Sequence, residues 1–160
     1  MFSIFGRNNL DPHALISSRL YDERSFYCAF TKDLSKATRF VLIESPFLTV
    51  KRARDFVRII KRLNGSGVKV RINTREPRHH TPLLRQEAWT AIGMLQKAGA
   101  TVYLCNDLRH RKFAVIDNIV LWEGSLNILS QSNSREVMRR TNSPQLCKQM
   151  INFTKANRKF

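Results

Sequence analysis

The chain has 160 residues, 42% of them hydrophobic, with 28 Lys and Arg against 12 Asp and Glu for a formal charge of +16. That length suits one domain that buries roughly 70% of its unfolded surface, and the composition is globular, which excludes a disordered chain; no apolar run approaches the ~20 residues that cross a bilayer. A charge of +16 exceeds what solubility asks of a small domain and attracts polyanions (DNA, RNA or an anionic membrane surface) over long range.

In chain order, the opening Met1 to Arg7 lacks the basic head and apolar stretch of a signal peptide, which makes cytoplasmic residence the expectation. Asp11-Pro12 reads as a helix cap with a first-turn proline, so residues 1–37 are expected to be mostly helical. Arg39 to Glu44 reads as a buried strand ended by Ser45-Pro46. A helix follows from Val50 to Leu63, with Ala53, Phe56, Val57, Ile60 and Leu63 at helical spacing on its inner face. Arg54, Arg58, Lys61 and Arg62 lie on the other side, either simply solvated or tracking phosphates. Val68 to Ile72 alternates apolar and basic residues as a half-exposed strand does. A polar loop from Asn73 to Pro82 leads to a second amphipathic helix, Leu84 to Ala98, capped by Gly99. Thr101 to Leu104 begins a strand, and strands 112–116 and 119–123 meet at a two-residue turn, Asp117-Asn118. Helix is expected after Asn127, and a basic helix or tail over 144–160. The order of elements is that of one α/β domain over 1–160, with a mixed β-sheet layered between α-helices. Cys28, Cys105 and Cys147 are widely spaced and show neither a disulfide framework nor zinc spacing.

The densest chemistry lies in His110-Arg111-Lys112 and Asp117, followed by Gly124-Ser125-Leu126-Asn127. An imidazole, an ammonium and amide donors are what phosphodiester hydrolysis without a metal needs: a nucleophile or acid, fixed positive charge and hydrogen bonds to oxygen. Strand alternation puts His110 and Lys112 on one side and Arg111 on the other. Gly124 allows close backbone approach, and Asn127 at a helix start would add unpaired N–H groups.

This pattern, H-x-K-x4-D-x6-G-S-x-N, resembles the signature of the phospholipase D superfamily, and is most similar to its small single-motif bacterial endonucleases of the Nuc type. The resemblance implies a phospholipase D-like fold and a site built from two facing motif copies. Since one copy is present, it implies a symmetric homodimer with the site across its two-fold axis. His110 would be the nucleophile that forms a phosphohistidine, and the partner's His110 the general acid and base. Lys112 and Asn127 would bind the non-bridging oxygens, with support from Ser125. Glu136 would hydrogen-bond the histidine, although Ser134, two residues before it, replaces the family's usual Asn. Asp117 completes the catalytic motif, and its place at a turn, facing away from His110, predicts a role in shaping the site.

Arg75, Arg78, His79 and His80 in the long loop, with Arg111 beside the motif, are the candidate substrate contacts. His79-His80 lacks the further ligands a metal needs, so neither metal nor cofactor is expected. Trp122 is read as core, and Arg139-Arg140 and the tail Lys155, Arg158 and Lys159 as nucleic-acid surface or solubilising charge. The leading expectation is a metal-independent endonuclease on nucleic acid, DNA before RNA. Its competitors are a phospholipase-type hydrolase and a non-cleaving nucleic-acid-binding dimer. No stable membrane insertion is expected, and a helicase, restriction or mobile-element partner stays open.

Overall fold

A computed structural model describes residues 17–156, so the Asp11-Pro12 helix start and the tail residues Arg158 and Lys159 lie outside the described residues. The strands are β1 (Ser18–Asp22), β2 (Phe40–Glu44), β3 (Lys69–Arg75), β4 (Thr101–Cys105), β5 (Phe113–Ile116), β6 (Val120–Gly124) and β7 (Val137–Asn142). They form one seven-stranded sheet in the order β1-β7-β6-β5-β2-β3-β4. β2, β3 and β4 are parallel, joined by α2 (Val50–Gly65) and α3 (Pro82–Lys97), while every other neighbouring pair is antiparallel. α1 (Phe26–Ser35) and α4 (Pro144–Thr154) complete the layers.

Alternation along the strands builds two cores. Val41, Ile43, Val70, Ile72, Ala114, Ile116 and Trp122 pack with α1, α2 and α3, through Phe30, Phe56 and Leu95 among others. Leu42, Phe113, Val115 and Leu121 face the opposite way, onto Cys147 and its neighbours on α4. The fold is therefore α/β with a mixed sheet between helices, as expected. Trp122 is fully buried, and its Nε1 donates to Asp33 Oδ2 at 2.9 Å. Burial lifts the Cys105 and Cys147 thiols to about 11 and about 12, consistent with unreactive core residues.

The structure corrects four expectations. Within 1–37, the described part is not mostly helical: β1 precedes α1, and Asp22 Oδ1 accepts from the Arg24 and Ser25 amides at the turn between them. β3 runs on through Asn73, Thr74 and Arg75 before a short 3-10 turn, Pro77–His79, so the polar loop begins later. After Asn127 the chain makes a turn, not a helix: the Ser130 and Gln131 amides both bond the Asn127 carbonyl. Tyr27, Thr49 and Arg52 hold the carbonyls of Ile128, Leu129 and Gln131, which leaves those groups unable to build a helix. Finally, 137–142 is a strand that holds β1 in the sheet, although its sequence is largely polar.

Candidate active site

The ladder between β2 and β5 pairs Glu44 with Phe113, which brings the segment before β5 to the ends of β2 and β3. His110, Arg111 and Lys112 are coil, not strand, yet alternation continues into them because the Gly124 amide bonds the Lys112 carbonyl. His110 is exposed and Lys112 is 9% exposed. The Lys112 Nζ lies 2.7 Å from His110 Nδ1 and donates to the His110 carbonyl at 2.5 Å. The Nζ also lies 3.4 Å from Nε2, so the ammonium sits against the imidazole within reach of both ring nitrogens. Burial lowers the Lys112 ammonium below its ordinary range, with the Glu136 carboxylate acting in the opposite direction. A partly desolvated ammonium regains stabilisation when an anionic oxygen arrives beside it.

β6 returns to the same end and finishes at Gly124. A Cβ there would overlap the Val137 carbonyl and crowd Met138, so only glycine lets β6 and β7 close up at this point. Ser125 Oγ donates to Glu136 Oε2 and accepts from the Val137 amide. The second oxygen of Glu136 lies 2.7 Å from Ser134 Oγ, so Ser134 holds that carboxylate in place. Glu136 thus bonds Ser125 and Ser134 and, in this structure, makes no hydrogen bond to His110. Asn127 sits at the same end with its Oδ1 buried and without a partner.

Asp117 stands at the opposite end of β5. Both turn residues, Asp117 and Asn118, have φ near +55° (54° and 58°), the backbone of a type I′ hairpin. Its carboxylate accepts from the amides of Thr38, Arg39 and Phe40 and from Thr38 Oγ1, which ties the hairpin to the start of β2. From there the carboxylate orders the strand that carries the site. Arg111 points to the α4 side, with Nε 2.7 Å from Glu44 Oε1 and Nη2 on the Thr154 carbonyl. Of the loop candidates, Arg78 and His79 are exposed, and Arg78 pairs with Glu76 at 3.3 Å. Arg75, at the end of β3, is half-buried with its Nε unpartnered.

Three features were invisible to motif reasoning. Glu44 is fully buried and bonds both Arg109 (3.2 Å) and Arg111 (2.7 Å), while Arg109 also clamps Asp107; together they anchor the segment leading into His110. Phe47 packs edge-on to the His110 ring, centroids 6.2 Å apart, and against His80 at 5.0 Å. Only the turn signal Ser45-Pro46 in front of Phe47 marked this loop as a strand end. Among the described residues, no three His, Cys, Asp or Glu side chains gather as a metal site, and no helix is long and apolar enough to cross a membrane.

An imidazole, a desolvated ammonium and a Gly-Ser-x-Asn turn at one end of a mixed α/β sheet are the build of a phosphodiesterase domain. The comparisons name its kind. Residues 30–156 match the family described as cardiolipin synthase, PLD-like domain, and the chain belongs to that phospholipase D-like family. The fold is similar to that of Nuc from Salmonella typhimurium, a phospholipase D family member (TM-score 0.71, 16% identity, 86% of this chain and 90% of that one). It is similar to NucT from Helicobacter pylori (TM-score 0.70, 23% identity, 86% and 92%). Phosphatidylserine synthase from Haemophilus influenzae shares it too (TM-score 0.67, 13% identity), matched over 88% of this chain and 38% of that one. No curated protein sequence matches the chain.

Proposed function

We propose that this chain is a metal-independent endonuclease acting as a homodimer through a phosphohistidine. The observation that carries the reading is the exposed His110 ring beside the buried Lys112 ammonium, present once per chain on a protein of charge +16. A phosphate oxygen draws Lys112 off the His110 ring, and Asn127 supplies a second donor. A ring nitrogen of His110 then attacks phosphorus while the bond to the leaving ester oxygen breaks, and the partner's His110 gives that oxygen its proton. Water next attacks phosphorus, loses its proton to the partner's imidazole, and releases His110 as the P–N bond breaks. Ser125 and Glu136 brace the turn that carries Asn127. A second copy has a surface to meet: a groove of about 490 Å³ starts at Lys112 and Gly124, with Leu20, Val137 and Phe153 exposed in its wall.

The same apolar groove favours one competing reading, hydrolysis of an anionic phospholipid with an acyl chain lying beside Lys112. The test is incubation of the full chain with plasmid, single-stranded DNA, RNA and anionic vesicles in excess EDTA. Nucleic-acid products are expected. Products from vesicles alone would favour the lipid enzyme, and binding without products the non-cleaving dimer.

A further inference from the structure

Buried polar atoms without partners are rare in folded proteins, and each asks for an explanation. Among the described residues three side-chain atoms qualify: Arg75 Nε, His80 Nε2 and Asn127 Oδ1. All three belong to the end of the sheet that carries His110. Arg75 ends β3, His80 follows in the next turn, and Asn127 follows β6. Asn127 lies in the motif turn. Arg75 and His80 do not belong to the motif: His80 lies across Phe47 from it, one phenyl ring packing on His80 at 5.0 Å and on His110 at 6.2 Å, and Arg75 at the end of β3 is close enough to act on the charge of His80.

The surroundings of His80 are cationic. Burial lowers its imidazole below the ordinary value, and Arg75, His79 and Arg85 push the same way against Glu76. The Arg85 guanidinium bonds the His80 carbonyl and the Arg78 carbonyl, so the turn is held rigidly while its ring nitrogen goes unused. A neutral imidazole and a half-buried guanidinium with spare N–H groups suit an anion, and an anion would relieve both. Phe47, the ring packed on His80, is itself part-exposed.

We infer that Arg75 and His80 form a second phosphate subsite, across Phe47 from His110, that holds the phosphodiester next to the one being cut. The inference rests on the nucleic-acid reading and deepens it: the preferred substrate is a polyphosphodiester, not an isolated diester. Arg75 supplies charge-assisted N–H donors to a non-bridging oxygen, and His80 a neutral N–H. Phe47 spaces the two phosphates and offers a ring face to the base between them.

The test compares kcat/KM of the full chain, in EDTA, on a trinucleotide with two phosphodiesters and on a dinucleoside monophosphate with one. For the natural sequence the ratio of the two should be about 10 to 100, the worth of one or two charge-assisted hydrogen bonds. In Arg75→Gln and in His80→Asn the ratio should fall towards one. Arg75→Gln should also flatten the salt dependence of oligonucleotide binding by roughly 0.7 in the log–log slope. A ratio near one in the unaltered protein overturns the subsite without any variant. An unchanged ratio in both variants overturns it as well, because a merely structural role lowers both rates together. Failure of the endonuclease reading looks different: no nucleotide is cut, and vesicles or nothing at all are turned over.

Discussion

The replacement of Asp117 by Ala separates a role in chemistry from a role in folding. The carboxylate is 6% exposed and accepts at 2.8 Å from the Thr38 amide, 2.8 Å from Arg39, 2.9 Å from Phe40 and 3.0 Å from Thr38 Oγ1. Ala strands three amides that the carboxylate had satisfied, at about 1–3 kcal/mol for each that water cannot reach. It also places an ordinary residue at φ 54°, which costs about 1 kcal/mol. Thr38 and Arg39 are exposed, so their amides recover water and sit at the low end. A loss of about 4 kcal/mol follows, or roughly 10 °C in Tm for a chain of this size. Asp117→Asn tolerates the left-handed backbone and keeps one acceptor, so about half that loss is expected.

Urea denaturation followed by circular dichroism reads both variants, and the pH dependence adds a second check. Burial acts to raise the Asp117 carboxyl, but the amides of Phe40, Thr38 and Arg39 outweigh it and hold the group below its ordinary value. A carboxyl that titrates lower in the folded than in the unfolded state contributes fully above the unfolded value, about pH 4, and loses its contribution as pH falls through the folded value. The stability gap between the natural sequence and Asp117→Asn should therefore be level near neutrality and narrow below about pH 4. A change under about 0.5 kcal/mol, the size of an ordinary surface substitution, would refute the anchoring role. So would a stable Asp117→Asn protein with more than about tenfold loss of turnover, which would return the residue to the chemistry.

His110→Ala should lower DNA cleavage in EDTA by at least about 1000-fold, the scale of removing a nucleophile, while gel-shift affinity stays within a few-fold. Full activity in that variant would remove His110 from the mechanism. Mixed dimers of natural and His110→Ala chains, purified by two tags, should be nearly inactive, because each proposed site draws on both imidazoles; half-normal activity would mean independent sites. Glu44→Ala should cost about 1–3 kcal/mol in chemical denaturation, since it removes one of the two carboxylates that hold the buried Arg109 and leaves Asp107 in place. Activity should fall with it as the segment before His110 loses its anchor, and an unaltered midpoint would show that Asp107 alone holds Arg109.

Much of this protein is written in local sequence. The strand–helix alternation from Phe40 to Cys105 follows from periods of two and 3.6, which neighbouring residues encode among themselves. The Asp117-Asn118 hairpin is legible because few residue types accept two left-handed positions in a row. The six motif positions are legible for the same reason: short spacing along one chain is enough to state them. β1 and β7 were not legible. Their polar residues join the sheet through backbone hydrogen bonds, β7 to nearby β6 and β1 to β7 more than a hundred residues away, and a backbone amide carries no sequence signature.

Side-chain assignments divide along the same line. Arg111 and Lys112 are adjacent cations, and local alternation sends only Lys112 to the side of His110. Glu44, buried at the end of a distant strand, takes Arg111 and leaves Lys112 beside His110. Glu136 stands at the family's spacing, yet Ser125 and Ser134 determine what its oxygens bond here. Phe47 touches both His80 and His110 only because parallel β2 and β3 end together. Local chemistry named the groups able to react, and long-range packing chose their partners, because burial and pairing depend on atoms the chain brings near only when it folds.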